Sequence, residues 1–382
     1  MKKKKNLYIV FDKLPSIEAG GLLTTYIRLA KLLKNDYNVK IISVFQYVET
    51  GLFEENDKIV INKNFIMLNF TNFIKYFIKA DFKNFALSLK YLFTYFFSIF
   101  GNRRKIKKLI NDDDIVIVTS PSAAIFMPHN IKFILEVHVD YRFFKGNNVK
   151  GRLQSFLMQK PTLTLFRTKN DMNIALKNNM KNVGYIYNFL DNNGIQKVDD
   201  IKTNKICFVG RLAPQKNLER MIKNAYKLKQ INNDFILDIY GEGNDKEKLL
   251  ELINNLKLEN NVFLKGFNQD KNIYKNYSCL WLTSVIEGFP LVIVEAKANG
   301  IPTISNIWGD GVYECIDDGN DGYISDDDDE LVNKTNSLIN NKDLLSKMSK
   351  NAFKNYKPFS KEIAKKRWLE ILENYKDKKI DF

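Results

Sequence analysis

Two carboxylates in the second half of the sequence, Glu287 and Glu295, have a spacing that suits the two ends of one extended ligand. Between them, Gly288 and Pro290 predict a turn after a buried strand and a helix that begins at Pro290. Because a helix rises about 1.5 Å per residue, we expect the carboxylates to lie about 8–12 Å apart. That distance is too large for an acid–base pair acting on one bond. The first N–H groups of the helix, which lack partners within the helix, should face the same space.

Two cations, Arg211 and Lys216, follow directly after the end of another predicted strand. Gly210 allows the chain to turn sharply there, and a helix begins shortly afterwards. Positive charge near the start of a helix is mildly unfavourable, so this placement favours a binding role over a pair of solvated surface cations. Two cations beside open helix N-termini would suit a diphosphate.

The first half of the sequence offers two weaker candidates. His138 falls at the end of a predicted strand, and ligands of open α/β sheets gather at the carboxyl ends of strands. The alternative is a histidine that caps the strand by hydrogen bonding to backbone. Gly20 and Gly21 stand between the first predicted strand and a helix, as in a phosphate-facing turn, although paired glycines open many such loops that bind no ligand.

The elements that must position these residues alternate between strand and helix in both halves of the chain. Buried apolar runs predict strands at residues 7–11, 39–44, 115–120, 133–137, 163–166 and 184–187, and again at 205–210, 235–243, 262–267, 279–284 and 302–306. This alternation predicts an α/β protein with two doubly wound, parallel, Rossmann-like sheets. The polar stretch near 190–203 predicts the boundary, which gives domains at 1–190 and 203–358 and a terminal helical segment at 359–382.

Residues 65–108 interrupt the alternation with a segment rich in phenylalanine and tyrosine. On a helical wheel one aromatic and aliphatic stripe forms, and a basic cluster follows it. The stripe is Phe70, Phe73, Ile74, Phe77 and Ile78, and the cluster is Arg103, Arg104, Lys105, Lys107 and Lys108. This pattern is typical of a helix on an anionic membrane surface, and it also fits two packed helices of the first domain.

Composition narrows the class of protein further. A net charge of +15 over 382 residues indicates an anionic partner, namely nucleic acid, anionic lipid or a phosphorylated substrate.

Cys207, Cys279 and Cys315 share no metal-type spacing, and buried free thiols predict a reducing, cytoplasmic location. The N-terminal apolar run is too short for a signal peptide, and no apolar segment is long enough to span a bilayer. Neither the run at 112–114 nor the acidic run at 326–330 predicts a metal site, and we interpret the second run as a solvated loop.

The second half also resembles a known family. The segments GRLAPQKN, YGEGNDKEKL, VFLKGF, SVIEGFPLVIVEA and GDGVYECIDDGNDGY, within residues 205–325, resemble the nucleotide-sugar domain of glycosyltransferase family 4. The resemblance implies the GT-B fold, with two Rossmann-like domains facing a cleft and a C-terminal helix crossing back to the first domain. It also implies transfer from a nucleotide-sugar with retention of configuration, without metal or other cofactor.

The resemblance implies a role for each matching residue. Arg211 and Lys216 match the basic pair that holds the donor diphosphate, Glu295 matches the carboxylate on the ribose, and Glu287 matches the carboxylate against the sugar. His138 resembles the histidine near the sugar. The remaining donor-binding positions are Gly20, Gly21, Gly210, Lys265, Phe267, Gly288, Phe289, Pro290 and Leu291, of which Lys265 and Phe267 border the base and residues 288–290 offer backbone contacts.

The resemblance therefore implies a sugar transferase whose donor is a UDP-sugar, uridine being the commonest base in the family. The basic first half favours a glycan, a lipid-linked saccharide or an anionic polymer at a membrane as acceptor. The segment WGDG at 308–311 departs from the family pattern and leaves sugar preference open. One alternative is a nucleotide-sugar epimerase of the same fold. The other, a nucleic-acid-binding protein, is disfavoured because no recognition motif accompanies the positive charge.

We expect that Arg211→Ala and Lys216→Ala each lower turnover by about 100-fold or more, because each removes a cation that stabilises charge on the departing diphosphate. Steady-state transfer kinetics measure this. Near-normal turnover in both variants would contradict the assignment.

Overall fold

The computed structural model describes residues 4–14, 21–45, 58–62, 82–144, 157–158, 160–191, 204–268, 270, 273–377, 380 and 382, with the side chains of 21 and 82–92 outside the description. The chain divides into two compact units. The first unit contains Met1–Phe166, Ala175–Gly184 and Leu369–Phe382, and the second contains Arg167–Ile174 and Tyr185–Trp368. Gly20, the predicted stripe between Phe70 and Ile78 and residues 192–203 of the boundary predicted at 190–203 lie outside the described residues.

The first unit is built on a sheet of seven strands. The strands are β1 (Asn6–Lys13), β2 (Asn38–Phe45), β3 (Lys58–Asn62), β4 (Ile115–Val118), β5 (Ile134–Val137), β6 (Leu163–Phe166) and β7 (Val183–Tyr185). Their order is β3-β2-β1-β4-β5-β6-β7, and the pairs from β3 through β6 are parallel. Strands β4 and β5 are buried along their whole length, and β4 reads as a continuous apolar run, as expected for a strand covered on both faces.

Helices connect these strands. They are α1 (Gly21–Leu33), α2 (Phe82–Leu109) and α3 (Pro121–Ala124), with a 3-10 turn at Tyr141–Phe144 and α4 (Lys169–Lys177) after β6. Ser120 caps α3 by accepting the N–H of Ala123 at 3.1 Å. Thr168 precedes α4 and accepts the Asp171 N–H on Oγ1 at 3.0 Å, while its hydroxyl donates to the Asp171 carboxylate.

The second unit is built on a sheet of six strands. The strands are β8 (Lys205–Val209), β9 (Ile236–Tyr240), β10 (Val262–Gly266), β11 (Cys279–Leu282), β12 (Thr303–Ser305) and β13 (Gly322–Ile324). Their order is β10-β9-β8-β11-β12-β13, and every pair is parallel. In such a sheet the first strand lies in the middle, so the loops after β8 and β11 leave the same edge side by side.

Helices pack on this second sheet. They are α5 (Leu218–Lys229), α6 (Lys246–Asn255), α7 (Leu291–Ala298), α8 (Val312–Cys315), α9 (Asp328–Asn340), α10 (Lys342–Asn355) and α11 (Lys361–Asn374), with 3-10 turns at Pro214–Lys216, Ile273–Asn276 and Lys357–Phe359. Helix α11 begins in the second unit, and its residues from Leu369 onward belong to the first. The three cysteines are buried and free, as the sequence predicts.

Two parallel Rossmann-like sheets confirm the predicted fold class, but several local predictions need correction. Strands β3 and β13, each at the edge of its sheet, were not predicted. The acidic run at 326–330 is not a solvated loop. Asp327 caps α9 by accepting the N–H groups of Asp329 and Glu330, and acidic side chains stabilise the first turn of a helix. Helix α7 begins at Leu291 rather than Pro290, whose ψ of 110° is extended.

We expect Gly241→Ala to destabilise the protein, because an added Cβ would lie 1.8 Å from the Gly210 carbonyl oxygen and because φ at Gly241 is +145°. The backbone conformation alone accounts for about 1–3 kcal/mol. Gly101, in the middle of α2, is the matched control: no atom lies within 4 Å of its added Cβ, so Gly101→Ala should stabilise by about 0.5–1 kcal/mol. Thermal unfolding of both variants measures the difference, and equal melting temperatures would contradict this account.

Candidate functional site

The candidate site is built first from a close approach of two strand ends in the second unit. The Gly210 N–H donates to the Tyr240 carbonyl at 2.9 Å, and the Leu212 N–H donates to the Glu242 carbonyl at 3.0 Å. An added Cβ at Gly210 would lie 2.8 Å from the buried ring of Phe208. Glycine is therefore required where the chain leaves β8, and the backbone bonds fix the direction in which the next residues run.

The two predicted cations occupy this exit. Arg211 is exposed, and Lys216 lies in the 3-10 turn Pro214–Lys216, partly buried. Two hydrogen bonds tie this turn to the loop after β11: the Val285 N–H donates to the Gln215 carbonyl, and Gln215 Nε2 donates to the Ile286 carbonyl, both at 2.8 Å. The turn after β8 is thus held against the segment that contains Glu287.

Lys216 and Glu287 form an ion pair, with Nζ 2.5 Å from Oε1. Only 15% of the lysine side chain and 10% of the glutamate side chain are exposed. A charge-assisted bond at a partly buried position is stronger and less screened than a surface pair. An ammonium group has three N–H donors, so a lysine held by one carboxylate can donate to a second anion as well.

The segment between Glu287 and α7 offers backbone groups rather than side chains. The Phe289 ring is buried and packs against Tyr187 and Phe359, each with its ring centroid 5.5 Å away. Its carbonyl accepts a hydrogen bond from Asn188 Nδ2 at 3.3 Å. Pro290 occupies the N-cap position of α7 and provides no side-chain cap. The Ile293 N–H donates to the Pro290 carbonyl at 3.1 Å, so Leu291 and Val292 carry the N–H groups at the start of the helix, where an anion is favoured.

Glu295 lies in the second turn of α7 and is oriented by a tyrosine. The Tyr274 hydroxyl donates to Glu295 Oε2 at 3.0 Å. Lys297, in the last turn, forms an ion pair with the fully buried carboxylate of Asp321, which also accepts a hydrogen bond from Asn355. A paired charge of this kind ties the helix to the loop before β13 and restricts how α7 can move.

Lys265 and Phe267 lie at the end of β10, on either side of Gly266 with φ +72°. Both side chains are exposed, and Phe267 exposes 68% of its surface. A flat aromatic ring left open to solvent beside a cation is suited to stacking on a heterocyclic base.

His138, in the first unit, follows β5 directly and is held by a side chain. Its Nε2 lies 2.8 Å from the Tyr26 hydroxyl, and the two rings pack edge to face with centroids 5.3 Å apart. Glu136, which is buried, has its Oε2 4.0 Å from the same nitrogen. Gly21 is the first residue of α1.

Sequence reasoning missed Gln215, Tyr274, Lys297 and Asp321, because their partners are distant in sequence and no periodic spacing links them. It also missed Glu314 in α8, whose carboxylate accepts the N–H groups of Lys169 and Asn170 at 2.8 and 2.6 Å.

The carboxylate of Glu314 also accepts a hydrogen bond from the Tyr187 hydroxyl at 2.8 Å. Burial, with Glu314 beside it, raises the pKa of Tyr187 well above its ordinary value. Trp308, within the divergent WGDG segment, is buried and packs beside Gly311.

The sequence and the fold of this chain are similar to those of known proteins. Residues 193–355 match the family model described as Glycosyl transferases group 1. The chain is 31% identical over 226 residues to the amylovoran biosynthesis glycosyltransferase AmsD of Erwinia amylovora, covering 56% of this chain and 62% of AmsD. It is 28% identical over 353 residues to an uncharacterized glycosyltransferase of Haemophilus influenzae, covering 87% of this chain and 90% of that protein.

A third relative, the poly(glycerol-phosphate) alpha-glucosyltransferase of Bacillus subtilis, is 31% identical over 182 residues, or 46% of this chain and 27% of that protein. Among solved structures, a mutant of S. aureus TarM in complex with fondaparinux, alpha-GlcNAc-glycerol and UDP superposes with a TM-score of 0.76 at 16% identity, over 96% of this chain and 99% of that one. Anabaena HepE in complex with UDP gives a TM-score of 0.74 at 17% identity, over 97% and 100%.

The structural neighbours show the fold, and the match to the family model lies within the second unit and includes the cation and carboxylate pairs. The chain as a whole has the two Rossmann-like domains that make up the GT-B fold of these neighbours.

Proposed function

We propose that this protein is a retaining glycosyltransferase that moves a sugar from a UDP-sugar to a glycan or polymer acceptor. The observation that carries the proposal is the Lys216–Glu287 ion pair beside the exposed Arg211, at the carboxyl edge of the second sheet and within the segment that matches the family model. Such a group of charges suits a ligand with a diphosphate at one end and hydroxyl groups at the other.

The diphosphate of the donor is bound by Arg211 and Lys216. The guanidinium of Arg211 can offer two parallel N–H groups to phosphate oxygens, and Lys216 adds a point charge whose position Glu287 already fixes. Gly210 keeps the β8 exit free of a side chain, and the first N–H groups of α7 supply further donors.

The nucleoside is bound by the end of β10 and by α7. Glu295 accepts hydrogen bonds from the ribose hydroxyls, with its orientation set by Tyr274. The exposed ring of Phe267 stacks on the base, and Lys265 lies beside it. This arrangement does not require the buried Phe289 ring to contact the ligand.

Sugar transfer breaks the bond between the anomeric carbon and the diphosphate oxygen and forms a bond from that carbon to an acceptor hydroxyl oxygen. Negative charge grows on the departing diphosphate, where Arg211 and Lys216 stabilise it without a metal ion. The departing phosphate oxygen takes the proton of the acceptor hydroxyl, which attacks from the same face, so the configuration is retained. Glu287 lies against the sugar, and for His138 we keep the role that the resemblance implies.

The acceptor that we propose is a cell-surface glycan, a lipid-linked saccharide or an anionic phosphodiester polymer. Relatives are named for amylovoran biosynthesis and for poly(glycerol-phosphate) glucosylation, and TarM was solved with alpha-GlcNAc-glycerol. A net charge of +15 favours association with an anionic polymer over a neutral one. We place the reaction in the cytoplasm, where three buried free thiols are stable.

The proposal is tested by a thermal-shift screen of UDP-, GDP- and ADP-sugars followed by transfer assays. Saturating UDP-sugar should raise the melting temperature, since a ligand at 100 times its Kd stabilises by about 2.7 kcal/mol. Arg211→Ala should abolish the shift, whereas Lys347→Ala, an exposed cation of α10, should preserve it. NMR of the product should show the anomeric configuration of the donor. Conversion of the UDP-sugar into an epimer, without transfer to any acceptor, would instead favour the nucleotide-sugar epimerase.

A second prediction separates donor binding from chemistry. We expect Glu295→Gln to raise the donor KM about tenfold while kcat changes little, because a ribose contact is equal in the ground and transition states. Tyr274→Phe should raise the donor KM by a smaller factor of about 2–10, the value of one hydrogen bond. Glu287→Ala should instead lower kcat. A fall in kcat at unchanged KM for Glu295→Gln would exclude the ribose role.

A further inference from the structure

Helix α2 of the first unit carries four large phenylalanines that the protein leaves in solvent. Phe93 exposes 59% of its surface, Phe96 55%, Phe97 74% and Phe100 66%. Single exposed apolar residues are ordinary, but a contiguous patch of aromatic rings on a folded surface marks a contact site. The exposure of these four rings therefore needs an explanation.

The four rings form one stripe. Their spacing of i, i+3, i+4 and i+7 places them within an arc of about 100° on the helix surface. The opposite face holds the helix to the sheet: Tyr95 packs against Phe45 and Phe126 with centroids 6.1 and 5.9 Å away, and Ile106 is fully buried. Burial raises the pKa of Tyr95 to about 12. The inner face of the helix is therefore packed against the unit, and its outer face is also apolar at these four positions.

Basic residues continue the same stripe. Arg104 and Lys107 lie four and seven positions after Phe100, hence on the same side of the helix, and both are exposed, as is Lys108. The other two members of the cluster are used inside the unit. Arg103 donates to the Ile125 carbonyl through Nε and Nη2 at 3.0 and 2.7 Å, and Lys105 donates to the Ile61 carbonyl at 3.2 Å.

The charge pattern selects one kind of partner. Residues 93–109 contain no aspartate or glutamate, so a second copy of this helix would bring cations against cations or leave them unpaired. A lipid bilayer with anionic headgroups satisfies both halves of the stripe, since its apolar interior accepts the rings and its phosphates accept the cations. Among the described residues, no helix is long and apolar enough to cross a membrane.

We propose that the outer face of α2, from Phe93 to Lys108, docks the protein on an anionic lipid surface, with the four phenylalanine rings inserted between headgroups and Arg104, Lys107 and Lys108 bound to lipid phosphates. The helix lies flat on the surface, because the stripe runs along its length. This surface is independent of the proposed sugar transfer and would remain if the donor assignment failed.

Vesicle flotation of the full chain tests the proposal. The protein should float at low salt with vesicles of equal parts phosphatidylcholine and phosphatidylglycerol, but not with phosphatidylcholine alone, and binding should weaken at about 0.5 M salt. Phe96→Ser/Phe97→Ser and Arg104→Glu/Lys107→Glu should each lower the partition coefficient at least tenfold. The matched controls are Phe353→Ser/Ile363→Ser and Lys347→Glu/Lys350→Glu, which alter exposed residues of the second unit and should bind as the wild type does.

Phe97→Trp gives a readout from a conservative variant that keeps the ring. The three native tryptophans are buried, so a blue shift that appears on adding anionic vesicles, and is absent from the wild type, reports insertion at residue 97. Absence of wild-type flotation at low salt would overturn the proposal, as would equal losses in the control variants. A wild-type oligomer that Phe96→Ser/Phe97→Ser dissociates, without flotation, would identify the stripe as an interface between copies.

Discussion

The ion pair between Lys216 and Glu287 is the interaction on which the candidate site depends. It joins the turn after β8 to the loop after β11, two segments 71 residues apart in the chain. Two backbone-directed bonds through Gln215 and Val285 support it, so the pair forms between segments that are already adjacent. A lysine fixed in this way keeps its position before any anion arrives, and preorganised charge is what electrostatic stabilisation of a leaving group requires.

The sheet explains why those segments meet. In the order β10-β9-β8-β11-β12-β13 the central strands are β8 and β11, and parallel connections bring their carboxyl ends to one edge. Gly241 allows the end of β9 to approach the Gly210 carbonyl oxygen more closely than any side chain would permit. Helix α7 is then anchored through the buried Lys297–Asp321 pair, which positions Glu295 at the same edge. The positions of the charged side chains at the site therefore depend on contacts that lie at some distance from them.

Helix α2 of the first unit has two faces that differ in burial. One face of this helix buries Tyr95 and Ile106 as a core helix does, and the other leaves aromatic rings and cations outside. The basic cluster is divided in the same way, since Arg103 and Lys105 bond to backbone carbonyls of the unit. Arg104, Lys107 and Lys108 of the same run are exposed on the outer face, and only the direction of each side chain separates the two groups of cations.

The sequence by itself determined the α/β class, both parallel sheets and the residue types of the site, because buried strands read as apolar runs and strand ends carry glycine and charge. It did not determine the short strand β13, the N-cap role of Asp327 or the partner of Lys297, since these depend on contacts between distant residues. Only the tertiary structure decided that Glu287 holds Lys216 and that Tyr274 orients Glu295. The physical reason is that periodicity reports which face a residue occupies, whereas the identity of its partner follows from strand order and loop closure.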